Sequence, residues 1–273
     1  MRQIPLPGYG LRLSRFVFAC ASLFNAGGAQ RRRDLLAEAA DCGFSHFDTG
    51  PSCGFGMAER DLAPVAKAHG GLTVTSKAVL FAPGGEDGST AAIFLPKALG
   101  KLAPALSRAQ VDFSLARAKI SLEASPRRLG RERLDLFLPH APRIDLVATD
   151  EWLGWLTSLA EQGRIGAFGL AVTRVDDALD FLSIQYARTA STLARRTRRS
   201  RARAGAATHL PLYRGGARLD PLPEILKQAL RRNPPGALVA SALRREPLRM
   251  FAEATPTRRP PKSREQTSMR RPE

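Results

Sequence analysis

Residues Phe47–Arg60 read FDTGPSCGFGMAER. They close a short strand predicted over Ser45–Asp48, so an acid stands at the strand's end before a turn rich in glycine and proline. An aspartate in that place caps the following turn or faces a site. Gly54 and Gly56 do not make a dinucleotide fingerprint, because the third glycine and the βαβ context are missing.

On either side of this stretch, short apolar runs alternate with helical spacing. Leu35, Leu36, Ala39 and Ala40 share one helical face, and Gly43 stands where a C-terminal cap is expected. Leu72–Val79 (LTVTSKAV) is a β-branched strand ending near a lysine, while Val111, Leu115, Ala118 and Leu122 recur at helical spacing before the strand Leu134–Leu138. Trp152, Trp155, Leu156 and Leu159 mark a further helix that Gly163 ends. Ala167–Val172 reads as a strand, Val175–Leu182 as a helix and Ser183–Tyr186 as a sixth strand. A helix started by Pro223 and stopped at Asn233 leads to the strand Ala237–Ala242 and a last helix to about Ala254. Such alternation predicts a parallel sheet wrapped in helices, and 273 residues suit one α/β domain, a (β/α)8 TIM barrel over residues 1–255.

Two segments break the pattern. Ala187–Ala207 holds seven Arg and seven Ala with Leu193 as its one large apolar side chain, so it has no face to bury. It reads as a disordered insertion or as the product of a compensated reading-frame shift, and it leaves the sixth β/α unit incomplete. The Pro- and Arg-rich tail from 256 to 273 reads as disordered. Together these segments carry eleven of the seventeen net positive charges, so the barrel itself is only mildly basic. Nucleic-acid binding through those arginines, with an affinity that falls steeply with salt, is the last-ranked alternative, since no interleaved aromatics or reading element accompanies them.

Three cysteines, Cys20, Cys42 and Cys53, lack metal or redox spacing, which predicts a reduced, cytoplasmic setting. His46, His69 and His209 form no ligand set, so no metal is expected. No apolar run approaches the roughly 18 residues that span a bilayer. Phe16–Phe24, preceded by Arg12 and Arg15, has the outline of a signal peptide and equally that of a buried first strand.

Polar residues fall at the C-terminal ends of successive strands, which in a TIM barrel form the catalytic rim: Asp48 with Cys53, Lys77 closing VTSK, and His140 closing DLFLPH. The opening stretch resembles the aldo-keto reductase signature, an Asp-Thr-Ala followed by Tyr-Gly and a Glu. Asp48, Gly54 and Glu59 match, and Cys53 fills the slot of the tyrosine that gives a proton to the substrate carbonyl. Ser121–His140 (SLEASPRRLGRERLDLFLPH) resembles the family's second signature, with Pro126 in place of a leucine, where it is expected to kink or end the helix. The resemblance spans roughly residues 6–186, and 208–254 more loosely.

It implies a tetrad of Asp48, the residue at 53, Lys77 and His140 around a nicotinamide, with NADP(H) as cofactor and an aldehyde, ketone or sugar carbonyl as substrate. It also implies cofactor contacts from Gln185, from His209 in the place of a stacking tyrosine, and from Arg244 and Arg245 on the 2′-phosphate; the two arginines read equally well as surface charges. Ala171 and Val172 stand where the family has Ser and Asn, and their side chains cannot hydrogen-bond the carboxamide. Cys53 admits three readings: loss of the catalytic tyrosine, an inert buried thiol in a protein with another role such as a degenerate cofactor binder or partner subunit, or a reactive thiolate beside Lys77.

Overall fold

A computed structural model describes residues 1–6, 10–82, 85, 109–147, 149–172, 208–209, 222–232 and 236–256. A hairpin of β1 (Gln3–Pro5) and β2 (Arg12–Ser14) precedes β3 (Phe16–Ala19). There follow α1 (Ala29–Asp41), β4 (His46–Asp48), α2 (Met57–Ala68) and β5 (Thr73–Ala78). A small antiparallel pair, β6 (Leu80–Phe81) and β7 (Gln110–Val111), leads into α3 (Leu115–Leu129) and β8 (Leu134–Pro139). The chain continues through α4 (Ile144–Val147), α5 (Asp150–Glu161) and β9 (Ile165–Phe168). Last come β10 (Thr208–His209), α6 (Leu222–Arg232), β11 (Leu238–Ala240) and α7 (Glu246–Ala254).

Seven strands form one parallel sheet in the order β10-β11-β3-β4-β5-β8-β9. The last strand of the chain pairs with the first strand of the sheet, Leu238 to Phe16 and Val239 to Val17. An open doubly wound sheet does not return on itself in this way; a barrel does. Among the described residues β9 and β10 are the two outer strands of this order, and the chain between them holds the interval in which the sequence predicts a sixth strand. The architecture is therefore that of a (β/α)8 barrel. The predicted sixth strand, its residue Gln185, the segment 187–207 and the tail beyond 256 lie outside the described residues, as does most of the rim loop after Ala82.

Strand alternation divides the core in two. Ile4, Leu13, Val17, Ala19, Ala237 and Val239 pack together where the N-terminal hairpin meets β3 and β11. Phe16, Phe18, Phe44, Phe47 and Phe251 belong to the larger layer between sheet and helices, with ring centroids 4.9 to 5.9 Å apart. A fully buried aromatic contributes on the order of 2–3 kcal/mol from area alone, which makes this cluster the main fastening of the seam where the last unit meets the first.

A buried polar network fixes α2 and α3 against β5. Glu59, fully buried, accepts from Arg128 Nε at 2.6 Å and from Ser76 Oγ at 2.7 Å, and Ser76 Oγ in turn accepts from Ser125 Oγ at 3.0 Å. Arg32 on α1 pairs with Asp61 on α2 at 2.5 Å, both nearly inaccessible.

Three expectations are corrected. Val111 is not part of a helix: it pairs with Leu80 in the β6–β7 ribbon and is 54% exposed. The helix starts at Leu115 because Ser114 caps it, accepting from the Arg117 amide at 3.2 Å. Nor does Pro126 break α3, which runs on to Leu129 and stops at Gly130, φ +63°. Proline removes only one amide from the last turn there, and Arg128 beyond it is tied to Glu59. Finally, Phe16–Phe24 is not one strand: four residues are β3, and Cys20–Ala26 coil into a 3-10 helix against α2. β3 is deeply buried, the packing expected of a first sheet strand.

Candidate functional site

Parallel pairing places Asp48 and Lys77 at neighbouring strand ends. His46 pairs with Thr73 and Asp48 with Thr75, so Lys77, two residues beyond Thr75, points to the same face as Asp48. Lys77 Nζ donates to Asp48 Oδ1 at 2.5 Å and to the Thr49 carbonyl at 2.7 Å. Burial alone would lower the Lys77 pKa, but Asp48 and Cys53 outweigh it and hold the ammonium above its ordinary value. Lys77 is thus a fixed positive charge at the rim. Gly50 leaves room beside it: a Cβ there would lie 3.3 Å from Lys77 Cβ, close enough that the lysine stem would have to shift by a few tenths of an ångström.

Beneath the pair lies His46, fully buried between two threonines, Nδ1 at 2.7 Å from Thr73 Oγ1 and Nε2 at 2.7 Å from Thr75 Oγ1. Thr73 Oγ1 donates to the Ser45 carbonyl at 3.1 Å, so it accepts from Nδ1–H, and Nε2 accepts from Thr75. The ring is neutral in this arrangement. Burial pushes its pKa from 6.5 to about 4, with Asp48 working against that shift and Lys77 with it.

The turn after β4 carries Cys53. Its amide donates to the Gly50 carbonyl at 2.9 Å, its carbonyl accepts from Ala58 at 3.2 Å, and Gly54, Phe55 and Gly56 all have φ between 58 and 78°. Two of these three left-handed residues are glycine; Phe55 is held there by burial with Phe24, Met57 and Ala82. Cys53 is 5% exposed, and its sulfur lies within electrostatic reach of Lys77 and of the fully buried Cys20.

His140 follows β8. Its amide donates to the Ala78 carbonyl at 3.0 Å, and it bridges in parallel to Ala171. Because Leu138 pairs with Lys77, His140, two residues further on, is directed to the face that carries Lys77. Ala171 and Val172, both half-buried, continue from β9 and bring no side-chain donor or acceptor.

Beyond β11 the rim opens into a cleft of about 310 Å³ between α1 and the start of α7, lined by Arg31, Asp34, Leu35, Leu243, Arg244, Arg245 and Glu246. Three guanidinium groups suit a phosphate, and two carboxylates temper their charge. Sequence reasoning missed Arg31 and Asp34, which sit on a helix more than two hundred residues away; their only signal is their place on the first helical turns, next to the last unit of a closed ring. His209 pairs with Val239 on the strand beside β11. Among the described residues no group of three or more His, Cys, Asp or Glu side chains is placed to hold a metal, and no helix is long and apolar enough to cross a membrane.

A family model described as the Aldo/keto reductase family matches residues 25–189. Among solved structures, a putative aldo-keto reductase from Pseudomonas aeruginosa is similar at 22% identity, covering 92% of this chain and 95% of that one, with a TM-score of 0.65. The holo form of an aldo-keto reductase from Bacillus halodurans is similar at 18% identity over 93% and 90%, TM-score 0.62. A glycerol dehydrogenase from Gluconobacter oxydans is similar at 17% identity over 93% and 90%, TM-score 0.63. No curated protein sequence matches the chain significantly.

Proposed function

Because the chain belongs to the aldo/keto reductase family, we propose that it is an NADP(H)-dependent oxidoreductase of an aldehyde, ketone or sugar carbonyl whose turnover is slowed by Cys53 in the proton donor's place. The observation that carries this reading is the Lys77–Asp48 pair, buried at neighbouring strand ends with Cys53 on the adjoining turn. We place the protein in the cytoplasm, in keeping with three reduced thiols.

The residues fit the cofactor at one end. Arg31, Arg244 and Arg245 around the cleft suit the 2′-phosphate, whereas Ala171 and Val172 leave the carboxamide without the side-chain partners that position it, and Gln185 is the proposed remaining contact. When bound, the nicotinamide supplies or takes up hydride. The chain supplies position and charge. A carbonyl oxygen gaining electron density is stabilised by the Lys77 ammonium, which Asp48 and the Thr49 carbonyl hold in place, and His140 orients that oxygen by a hydrogen bond. Delivery of the proton is the weak step, because a thiol is far shorter than a phenol and does not span the same distance.

Losing a positioned general acid costs about 10²- to 10⁴-fold in rate. NADPH oxidation with a panel of aromatic aldehydes and aldoses, comparing the protein with Cys53→Tyr and with Cys53→Tyr combined with Lys77→Met, tests this. The tyrosine is expected to raise the rate and the added methionine to abolish the gain. Equal rates in the protein and Cys53→Tyr, with cofactor bound to both, would move the defect away from position 53. Absence of saturable NADPH binding up to the millimolar range would end the oxidoreductase reading. A second reading, a barrel that binds cofactor without turnover as a sensor or partner subunit, is favoured by the apolar pair Ala171 and Val172; binding with no rate gain in Cys53→Tyr would select it.

A further inference from the structure

Cys20 and Cys53 reach the same buried place from different elements. Ala19, the last residue of β3, pairs with Asp48, so Cys20 begins the 3-10 helix directly beside the start of the turn that carries Cys53. That helix packs against the turn: a Cβ on Gly54 would lie 3.7 Å from Phe24 Cβ, and Cys20 and Cys53 belong to one cluster of buried side chains. Cys20 is fully inaccessible, Cys53 5% exposed. The Lys77–Asp48 pair lies within electrostatic reach of both cysteines.

We propose that Cys20 and Cys53 form an oxidisable dithiol, a site of reversible modification by hydrogen peroxide that converts them to an intramolecular disulfide. Two thiols of such different origin share a site here because the strand-end turn and the 3-10 helix are packed together. Burial holds the Cys20 thiol well above its ordinary pKa, so it stays a protonated thiol until Cys53 is oxidised; of the charged and titratable groups acting on it, Cys53 exerts the largest electrostatic effect, ahead of Asp48, Lys77 and Glu59.

The order of events follows from access. Cys53, the more exposed and the one beside an ammonium, is attacked first, since a neighbouring cation favours the reactive thiolate. Its sulfur displaces hydroxide from peroxide: the O–O bond breaks, an S–O bond forms, and Cys53 becomes a sulfenic acid. The Cys20 sulfur then attacks Cys53 Sγ; the S–S bond forms, the S–O bond breaks, and the thiol proton leaves with the hydroxyl as water. Two thiols lose two electrons, and one peroxide becomes two waters. The oxidised turn is tied to β3 at the position from which a proton donor has to reach the substrate, so the modification bears on the site itself. It stands apart from the reductase reading, because it needs neither cofactor nor substrate.

The experiment is peptide mass spectrometry of the full-length folded protein after limited peroxide treatment, with the thiols blocked before digestion. The expected result is a Cys20–Cys53 linked peptide, a fall from three blocked thiols to one, and Cys42 as the survivor. Reduction with dithiothreitol restores all three. A Cys42→Ser variant is expected to give the same linkage, and a Cys20→Ser variant to stop at a Cys53 sulfenic acid that dimedone traps. A bridging trivalent arsenical is expected to add once to the untreated protein and not to Cys20→Ser. The proposal is overturned if Cys53 oxidises to sulfinic acid with Cys20 still blocked as a thiol, or if the only linkage found includes Cys42.

Discussion

His46 makes a quantitative prediction about stability and pH. Its ring is neutral, fully buried and bonded on both sides, with a folded-state pKa of about 4 against 6.5 in the unfolded chain. Between those values the unfolded state binds more protons than the folded one, so stability rises with pH across that window. The contribution is complete above 6.5 and lost as the pH falls through it towards 4. A gap of about 2.5 units corresponds to roughly 3 kcal/mol at 1.36 kcal/mol per unit, a fifth or more of what holds a typical domain of 5–15 kcal/mol together.

The perturbation is His46→Gln, whose carboxamide can donate to Thr73 and accept from Thr75 without titrating. Urea unfolding of both proteins at half-unit steps over the window gives two curves of stability against pH. Carboxylates contribute to both curves alike, so their difference isolates the imidazole. The variant is expected to be less pH-sensitive, the gap closing by roughly 3 kcal/mol from neutral pH down to the lower end. Parallel curves throughout would refute the argument, because they would mean that the ring takes up its proton as easily in the fold as outside it.

Arg128→Met leaves the Glu59 carboxylate buried with only the Ser76 hydroxyl, and is expected to cost about 3–5 kcal/mol in urea unfolding, with Glu59→Leu in the same chain recovering much of it. Replacing Arg244 and Arg245 by alanine is expected to weaken NADPH roughly 10- to 100-fold in fluorescence titration, from the loss of charge-assisted bonds worth about 1.5–3 kcal/mol, while NADH is nearly unaffected; equal loss for both cofactors would take the arginines out of phosphate binding. We further propose that residues 187–207 come from a compensated frame shift. Translating the gene in its other two frames should reveal an amphipathic helix across this interval, and finding none in either frame would dismiss the idea. The family match, which ends at residue 189, supports the placing of that boundary.

The strands were legible because a buried parallel strand is a short apolar run with little room for error: His46–Asp48, Thr73–Ala78 and Leu134–Pro139 each fall within a residue or two of their expected limits. Helix starts were less so. Val111 stands four residues before Leu115 and mimics the next helical turn, and only the Ser114 cap, a local hydrogen bond, outweighs that spacing. Asp48 and Lys77 could be joined in advance because each closes a strand and strand order sets who neighbours whom. The Glu59–Arg128 pair was hidden, since a motif shows that a glutamate is present and not which cation 69 residues away will lie 2.6 Å from it. The cleft escaped for the same reason: Arg31 and Arg244 meet only because the ring closes.

That Lys77 and Asp48 stay paired beside a cysteine does not by itself report on catalysis. A buried ammonium deprived of its carboxylate is costly, about 3–5 kcal/mol when one partner of a buried pair is removed, so stability alone would preserve the pair in a barrel that had stopped turning over. The same holds for the Thr49 carbonyl, which fixes Nζ through the backbone. Position 53 lies under no comparable constraint: a thiol fills less of the core than a phenol ring and strands no charge. On the proposed function, the proton donor is therefore the residue of such a site whose change carries the least structural cost. On the proposed function the paired charges remain arranged for the chemistry, which is why Cys53→Tyr separates a silenced site from one that has been dismantled.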